Sequence, residues 1–219
     1  MTTPISKYKI YGRKKGRKKK NQNLHQTFIK SIITKDINIK KKDNNILDIG
    51  SGSGENSIYQ SMQFPKSKII ACETFVDGNI NLCQEIFKKS IQNILIYNGN
   101  VLELFDTVEK KNIFNSIWIL FPDPWPKKRH FKRRLINSYF MKKLISMVKK
   151  DGKIHITTDS ESYFRQILFS IYKFRKYFLW ENQTINSWKL DLNKFPQTKF
   201  YKKAIKSNRK SFYIKLKKL

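Results

Sequence analysis

Residues 46–55 read ILDIGSGSGE, an apolar run that ends in three glycines at alternate positions. The run predicts a strand, and Gly50, Gly52 and Gly54 predict a tight turn, because glycine adopts dihedral angles that other residues avoid and lets a ligand approach the backbone. In a dinucleotide fingerprint the third glycine follows the second after two residues, whereas here it follows after one. The spacing therefore disfavours NAD as the ligand of this turn.

Four further apolar runs of strand length follow, separated by segments of helical length such as 77–90 and 137–149. This alternation predicts an α/β fold with a doubly wound, mostly parallel sheet. The aromatic-rich extended segments within about 178–219, on either side of a basic loop, predict antiparallel C-terminal edge strands. The four runs are KIIACE (68–73), ILIYNG (94–99), SIWILF (116–121) and KIHITTD (153–159).

The composition indicates one folded domain and a polyanionic partner. A chain of 219 residues with 39% hydrophobic residues can bury one core. The net charge of +30 attracts polyanions such as nucleic acid, although compositional drift in an AT-rich genome gives the same excess of lysine. We expect residues 1–22, which are basic and poor in large apolar side chains, to form a flexible arm, and residues 23–219 to form a single domain.

The cysteines and the apolar runs bear on the cellular compartment. Cys72 and Cys83 fall in a predicted strand and in the helix after it, which indicates reduced core residues and neither a disulfide framework nor a metal site. No apolar run approaches the roughly 18 residues of a membrane span, and no apolar stretch follows the basic N-terminus. We expect a cytoplasmic protein that makes no membrane contact and is either a monomer or a homodimer.

Each predicted parallel strand ends in a polar feature, and the carboxyl ends of such strands meet at one edge of the sheet. Asp48 precedes the glycine turn and can face an amino group or a bridging water. Glu73 ends the second strand and can accept two ribose hydroxyls, since a carboxylate has two acceptor oxygens. Asn100 can bond an adenine edge, Thr157 and Asp159 can receive a base, or Asp159 can cap the next helix. The pattern is typical of class I methyltransferases, which use S-adenosylmethionine.

Residues 121–134 read FPDPWPKKRHFKRR, and three prolines within five residues deny this segment a helix. The prolines hold Asp123 and Trp125 at the end of the fourth strand, where Trp125 either stacks on a base or packs in the core. The following cationic residues predict phosphate contacts, or for part of the group a solvated face. These cations are Lys127, Lys128, Arg129, Lys132, Arg133 and Arg134.

This proline-rich segment closely resembles the signature of the bacterial tRNA (guanine-N7-)-methyltransferases. Further likenesses lie in YGRKKGRKKKNQ (11–22), LDIGSGSGE (47–55), TTD (157–159) and PQTKFYKKA (196–204). The resemblance implies that S-adenosylmethionine is the methyl donor and that N7 of a guanosine in the variable loop of tRNA is the acceptor.

The resemblance also implies roles for individual residues. It assigns Asp48, Glu73, Asn100 and Asp123 to the cofactor, and Asp123 to the active site as well. The family's commonest pattern has Glu, Asp and Glu where this chain has Asp48, Asn100 and Tyr201. The residues that the resemblance assigns to substrate binding are Lys127, Asp159, Thr198, Lys199, Phe200 and Tyr201.

Methylation at guanine N7 makes modest chemical demands. N7 carries an in-plane lone pair and no proton, so positioning dominates and no base is needed before attack. Asp123 is our candidate for stabilising the positive charge that develops on the ring, unless it only caps the following turn. Two alternatives remain open at this point: a methyltransferase with another acceptor, and a non-catalytic RNA-binding protein on the same fold.

Overall fold

A computed structural model describes residues 8–12, 32–34, 37, 39–108, 111–188 and 195–219 of the chain. Its centre is an eight-stranded sheet with the order β1-β4-β3-β2-β5-β6-β8-β7. The pairings are parallel except for those of β8, which runs antiparallel to both β6 and β7. The strands are β1 Ile33–Thr34, β2 Asn45–Ile49, β3 Lys68–Glu73, β4 Ile94–Asn98, β5 Phe114–Leu120, β6 Val148–Thr158, β7 Phe178–Trp180 and β8 Phe212–Lys218.

Helices connect the strands and cover both faces of the sheet. The described helices are α1 Glu55–Gln63, α2 Val76–Lys88, α3 Val101–Thr107, α4 Ser138–Met147, α5 Glu161–Lys173 and α6 Lys199–Lys206. Short 3-10 helices occupy Lys128–Arg133, Arg175–Tyr177 and Ile185–Trp188. The doubly wound, mostly parallel sheet with antiparallel C-terminal strands is confirmed.

One expectation for the C-terminal region was wrong. We expected a basic loop between the two extended segments, but this connection contains α6. The Thr198 side chain begins the helix by accepting a hydrogen bond from the Tyr201 N–H at 3.2 Å. A cap of this kind satisfies a backbone donor that has no partner inside the helix, and it offsets the repulsion among closely spaced lysines.

The core lies on both faces of the sheet because side chains alternate along each strand. In β5, Ile117 and Ile119 belong to one apolar cluster, whereas Trp118 and Leu120 belong to the cluster on the other face. Both cysteines are buried and carry free thiols, one in each cluster. Within the described part of the chain, no helix combines the length and apolar character that a membrane crossing requires.

Candidate active site

The carboxyl ends of β2, β3, β4 and β5 border a cavity of about 420 Å³. A volume of this size falls within the range of sites that hold small molecules. Residues of two loops line it: residues 50–54, which we call the glycine turn, and residues 121–126, which we call the proline loop. Of the residues singled out above, the cavity is lined by Gly50, Glu73, Asn100, Asp123, Trp125, Lys132, Arg133, Arg134 and Phe200.

The glycine turn leaves space for a ligand at one position and is tightly packed at another. Gly50, Gly52 and Gly54 have φ angles of 70°, 58° and 86°, in the left-handed region that glycine tolerates. A β-carbon on Gly50 would meet nothing within 4 Å, whereas one on Gly54 would collide with the side chain of Leu82. Gly50 therefore offers bare backbone to the cavity, and Gly54 allows α2 to pack against the turn.

Backbone N–H groups fix the orientation of the Glu73 carboxylate. Oε1 accepts from the N–H groups of Thr74 at 2.6 Å and Phe75 at 2.9 Å, and Oε2 accepts from the Gly52 N–H at 2.9 Å. Because a carboxylate oxygen has two acceptor positions, Oε2 is the oxygen that retains one for a ligand hydroxyl. The structure thus joins Glu73 to the glycine turn and directs it towards the cavity.

Asp48 lies beneath the glycine turn and does not line the cavity. Its side chain is buried, and Oδ2 accepts a hydrogen bond from the Ser57 hydroxyl at 2.6 Å. Burial raises the pKa of Asp48 to about 6, although the hydrogen bond from Ser57 opposes the shift. In this geometry Asp48 supports the turn and the start of α1, so the prediction of a cofactor contact can hold only through a bridging group.

Asn100 combines a position on the cavity wall with a structural duty. It is the N-cap of α3, and its Oδ1 accepts from the Leu102 N–H at 2.9 Å. Glu103 completes a capping box by accepting from the backbone N–H of Asn100. The Asn100 side chain also accepts from the Glu103 backbone, so the cap occupies its oxygen, and the amide nitrogen is the atom that this residue can direct towards an adenine edge.

The proline loop is strained at both ends. Phe121 and Trp125 have φ angles of 51° and 41°, a region that bulky L-residues rarely occupy. The Phe121 N–H donates to the carbonyl oxygen of Thr157 at 3.0 Å and to its hydroxyl at 3.1 Å. Such conformations persist where surrounding contacts over-determine them, and they cluster at functional sites. Thr157 therefore braces this loop from the neighbouring strand.

Asp123 lies between these two strained residues and faces the cavity. Desolvation first, and the Glu73 carboxylate second, raise the pKa of Asp123 above its ordinary value, although its side chain still reaches solvent. Trp125 is half-buried and also lines the cavity, so packing in the central core is excluded for it. The Arg133 guanidinium stacks on the Trp125 ring at 4.9 Å. A cation, an aromatic ring and a carboxylate thus share one wall.

The cationic segment divides into exposed and buried residues. Lys127, Lys128, Arg129 and Lys132 are exposed, as phosphate contact requires. The assignment to phosphate is wrong for Arg134, because this side chain is only 1% exposed and its guanidinium donates to protein acceptors. No local pattern separates Arg134 from its neighbours in the sequence.

Residues 198–201 reach the site through α6. Phe200 lies over the glycine turn, with its ring 3.9 Å from where a Gly52 β-carbon would be, and it lines the cavity. Lys199 is exposed, whereas Tyr201 is buried and packs on Phe121 at 6.1 Å between ring centroids. Thr198 is the helix cap described above. The structure therefore brings Phe200 to the cavity and uses Thr198 and Tyr201 to position it.

Asp159 does not line the cavity. Its Oδ2 pairs with Nη1 of Arg209 at 3.0 Å. Ser160, and not Asp159, caps α5 by accepting from the Tyr163 N–H at 3.4 Å. The helix-cap alternative for Asp159 was therefore wrong, while its role in substrate binding stays a prediction.

Two contributors to the site were missed in the sequence. Residues 8–12 of the predicted arm line the cavity, where the Tyr8 hydroxyl donates to Asp106 at 2.6 Å and the Tyr11 ring lies edge-on to Trp125 at 6.2 Å. The remainder of the arm, residues 1–7 and 13–22, lies outside the described residues. Gly78 of α2 was also missed, although a β-carbon there would collide with the carbonyl oxygen of Gly52. In the sequence, the presence of a glycine shortly after Glu73 was the one sign that α2 approaches the glycine turn closely.

The fold and this cavity together define a class of protein. A parallel sheet with an antiparallel β8, a glycine turn after β2 and a carboxylate at the end of β3 are the features of a class I, S-adenosylmethionine-dependent methyltransferase. A protein family described as "Putative methyltransferase" matches residues 42–214.

Curated relatives specify the family within that class. A tRNA (guanine-N(7)-)-methyltransferase from Wolbachia pipientis is 33% identical over 85% of this chain and 80% of its own length. The enzyme of the same name from Leptospira interrogans is 31% identical over 87% of this chain and 86% of its own. The chain belongs to the tRNA (guanine-N(7)-)-methyltransferase family.

Solved structures support the fold independently. An rRNA methylase from Streptococcus thermophilus has a TM-score of 0.55 at 13% identity, covering 92% of this chain and 99% of its own. An antibiotic-related methyltransferase has a TM-score of 0.54 at 19% identity, covering 91% and 97%. At this level of identity the likeness extends to the fold alone.

Proposed function

We propose that this protein transfers a methyl group from S-adenosylmethionine to N7 of a guanosine in tRNA, and that the target lies in the variable loop. The observation that carries the proposal is the single cavity shared by the glycine turn and the proline loop. The first feature suits a nucleoside and the second suits a base with a developing positive charge. Membership of the tRNA (guanine-N(7)-)-methyltransferase family supports the choice of acceptor.

The residues that line the cavity fit S-adenosylmethionine. The bare backbone at Gly50 leaves room beside β2, Glu73 Oε2 keeps an acceptor position for a ribose hydroxyl, and Asn100 reaches the wall at the end of β4. When bound, the cofactor supplies an electrophilic methyl group on a sulfonium. Glu73 and Asp123 also place negative charge at the site, which favours a cationic ligand.

The protein's own part in the reaction is to position and to stabilise. Since N7 has no proton to lose, the base needs to be held in line with the methyl group, and the rigid proline loop gives that alignment. The Asp123 carboxylate stabilises the cationic purine electrostatically. Trp125 lies two residues further on the same wall, where its ring can cover one face of the base.

Exposed cations, of which Lys132 also lines the cavity, supply the affinity for RNA. Lys127, Lys128, Arg129 and Lys132 follow the proline loop and face solvent. Their contacts with phosphates do not depend on base sequence. They weaken as the salt concentration rises, because the release of counterions from the RNA then gains less free energy. We expect the basic arm of residues 1–22 to extend this surface, so that removing residues 1–20 weakens tRNA binding and flattens its dependence on salt.

Mass spectrometry of nucleosides tests the function directly. Unmodified tRNA incubated with the protein and S-adenosylmethionine should gain 7-methylguanosine, and digestion should locate it in the variable loop. If a different methylated nucleoside appears, guanine N7 is not the methyl acceptor. If 7-methylguanosine appears outside the variable loop, the proposed position of the target is wrong. Calorimetry that detects no binding of S-adenosylmethionine would instead favour a non-catalytic RNA-binding protein.

A further inference from the structure

Arg134 is a cation inside the protein. Its Nε donates to the carbonyl oxygen of Pro124 at 2.7 Å. Its Nη1 donates to the Ser162 carbonyl at 3.2 Å and to Gln166 Oε1 at 2.9 Å, while Nη2 donates to the Ser162 hydroxyl at 2.8 Å. Aromatic rings cover the guanidinium, with Phe131 at 3.6 Å and Tyr163 at 4.9 Å. This side chain therefore joins the proline loop to α5.

A buried cation needs a specific reason to be kept. Within the part of the chain that the structure describes, no carboxylate lies within ion-pair distance of Arg134. Desolvation consequently lowers the pKa of Arg134. A well-packed apolar side chain often stabilises such a position more than a buried ion does. An apolar side chain at this position could not make the hydrogen bonds that Arg134 donates to the proline loop and to α5.

The proline loop is a segment that needs outside support. Pro122, Pro124 and Pro126 have no backbone N–H, so the loop has few donors with which to bond to the sheet. Thr157 holds its first residue, Phe121, as described above. The Arg134 bond to the Pro124 carbonyl holds the middle of the loop, directly between Asp123 and the strained Trp125.

We propose that Arg134 is a positioning residue for methyl transfer, which holds the Pro124 carbonyl so that Asp123 and Trp125 face the target base. Ser162 and Gln166 of α5 are the anchors of Arg134 in this role. The inference rests on the proposed function, because it concerns the orientation of the groups that act on the base. It assigns Arg134 to the reaction and not to phosphate binding.

Substitution of Arg134 by lysine distinguishes a role in positioning the proline loop from a role in binding phosphate. Lysine keeps the charge but loses the planar fork that reaches several acceptors at once. Arg134→Lys should lower the single-turnover rate at saturating tRNA and cofactor about 100-fold, because a small misplacement of reacting groups has an effect of that order. The salt dependence of tRNA binding should stay that of the wild type. Lys128→Ala, at an exposed cation, should instead lower the salt slope by about one unit.

A second variant covers the case in which Arg134→Lys does not fold. Ser162→Ala combined with Gln166→Ala removes side-chain anchors at positions that reach solvent, and leaves Arg134 in place. The single-turnover rate should fall about tenfold with tRNA affinity unchanged, as expected for displaced reacting groups. Arg165→Ala, on the exposed side of α5 in an ion pair with Glu161, is the matched control and should keep the wild-type rate.

The outcomes distinguish this inference from the proposed function. A wild-type protein that makes no 7-methylguanosine overturns the function itself. An active wild type together with wild-type rates in the anchor double variant overturns the positioning role alone. A wild-type rate for Arg134→Lys with a reduced salt slope would make Arg134 a phosphate ligand, which is the opposite of the proposal.

Discussion

The glycine turn and the proline loop face the same cavity, but different forces hold them in shape. In the glycine turn, positive φ angles fall on glycines, and backbone N–H groups fix the turn to Glu73. In the proline loop they fall on Phe121 and Trp125, where an L-residue pays about 1–2 kcal/mol. Side chains from other elements hold this loop, namely Thr157 and Arg134.

The difference indicates how the two halves of the site tolerate change. The glycine turn depends on side chains that are absent, because a β-carbon would strain the backbone at each positive φ angle and would also collide with Leu82 at Gly54. The proline loop depends on bonds to partners that lie 36 and 10 residues away, so it can be disturbed from a distance. We therefore expect substitutions to affect cofactor binding in the first region and the chemical step in the second.

The largest effect should come from Asp123→Asn in the proline loop. Loss of the carboxylate that stabilises the cationic base should lower the single-turnover rate about 100-fold to 1000-fold, with tRNA affinity retained. Because the pKa of Asp123 is raised, the wild-type rate should decline on acidification at a higher pH than an ordinary aspartate would give. The decline should be absent in the variant. Near-normal turnover of Asp123→Asn would remove this residue from the chemistry.

The second prediction concerns Asp48, which lies beneath the glycine turn, and the pH dependence of the free energy of unfolding. Its folded-state pKa of about 6 exceeds the ordinary value of 3.8, so ionisation destabilises the fold above pH 6 and the penalty disappears as the pH falls towards 4. Asp48→Asn stays neutral and keeps an oxygen for the Ser57 hydroxyl. It should raise the free energy of unfolding at pH 7 by up to about 3 kcal/mol and have little effect near pH 4.

Urea denaturation of both proteins at pH 4, 5, 6 and 7 measures this difference. Asp43→Asn is the control, since Asp43 lies at the protein surface in a long ion pair with Lys68 at 4.0 Å. Equal curves for wild type and Asp48→Asn at every pH would mean that the Asp48 carboxyl is not desolvated in solution.

Gly78→Ala tests how closely α2 packs against the glycine turn. Alanine in a helix is favoured over glycine by roughly 0.5–1 kcal/mol, so the backbone alone predicts a more stable protein. The collision with the Gly52 carbonyl predicts instead that the glycine turn is displaced. Overpacking of this kind costs about 1–3 kcal/mol, so the affinity for S-adenosylmethionine should be about tenfold weaker. Calorimetry measures the affinity, and Lys88→Ala at the exposed end of α2 serves as control.

The smallest effect should appear where the N-terminal segment meets α3 and α4. The Tyr8 hydroxyl bonds to Asp106 and lies 3.0 Å from the Tyr139 hydroxyl. Tyr8→Phe removes a bond worth about 1 kcal/mol, so affinity for S-adenosylmethionine should fall by about fivefold. Tyr172→Phe, on the exposed face of α5, is the matched control. Identical affinities would show that residues 8–12 do not close the cavity in solution.

Local sequence predicted those parts of the molecule that local forces determine. The apolar runs located β2 to β6 because a strand buried on both faces leaves a continuous apolar signal. The glycine spacing located the turn, because positive φ angles have a specific residue preference. Asp123 was located because prolines restrict the backbone on either side of it.

The rest depended on tertiary contacts that no local pattern encodes. Arg134 follows Arg133 in a basic run, but only the position of α5 buries the guanidinium of Arg134 while Arg133 stays half-buried and Lys132 exposed. Asp48 and Asp159 were placed near a ligand by the strands they end, whereas Ser57 and Arg209 engage their carboxylates. Residues 8–12 read YKIYG and were grouped with the basic arm of residues 1–22, yet Tyr8 and Tyr11 find polar and aromatic partners across the site.

The antiparallel strand β8 has a consequence for how the chain matures. β8 follows β6 and β7 in the chain but lies between them, and α6, which carries Phe200 to the glycine turn, belongs to the connection that leads to it. A ribosome that stalls before residue 212 would release a chain in which β6 presents an open row of N–H and C=O groups, a template for aggregation. The same late segment would therefore decide both whether a nascent molecule stays soluble and whether it acquires a working site.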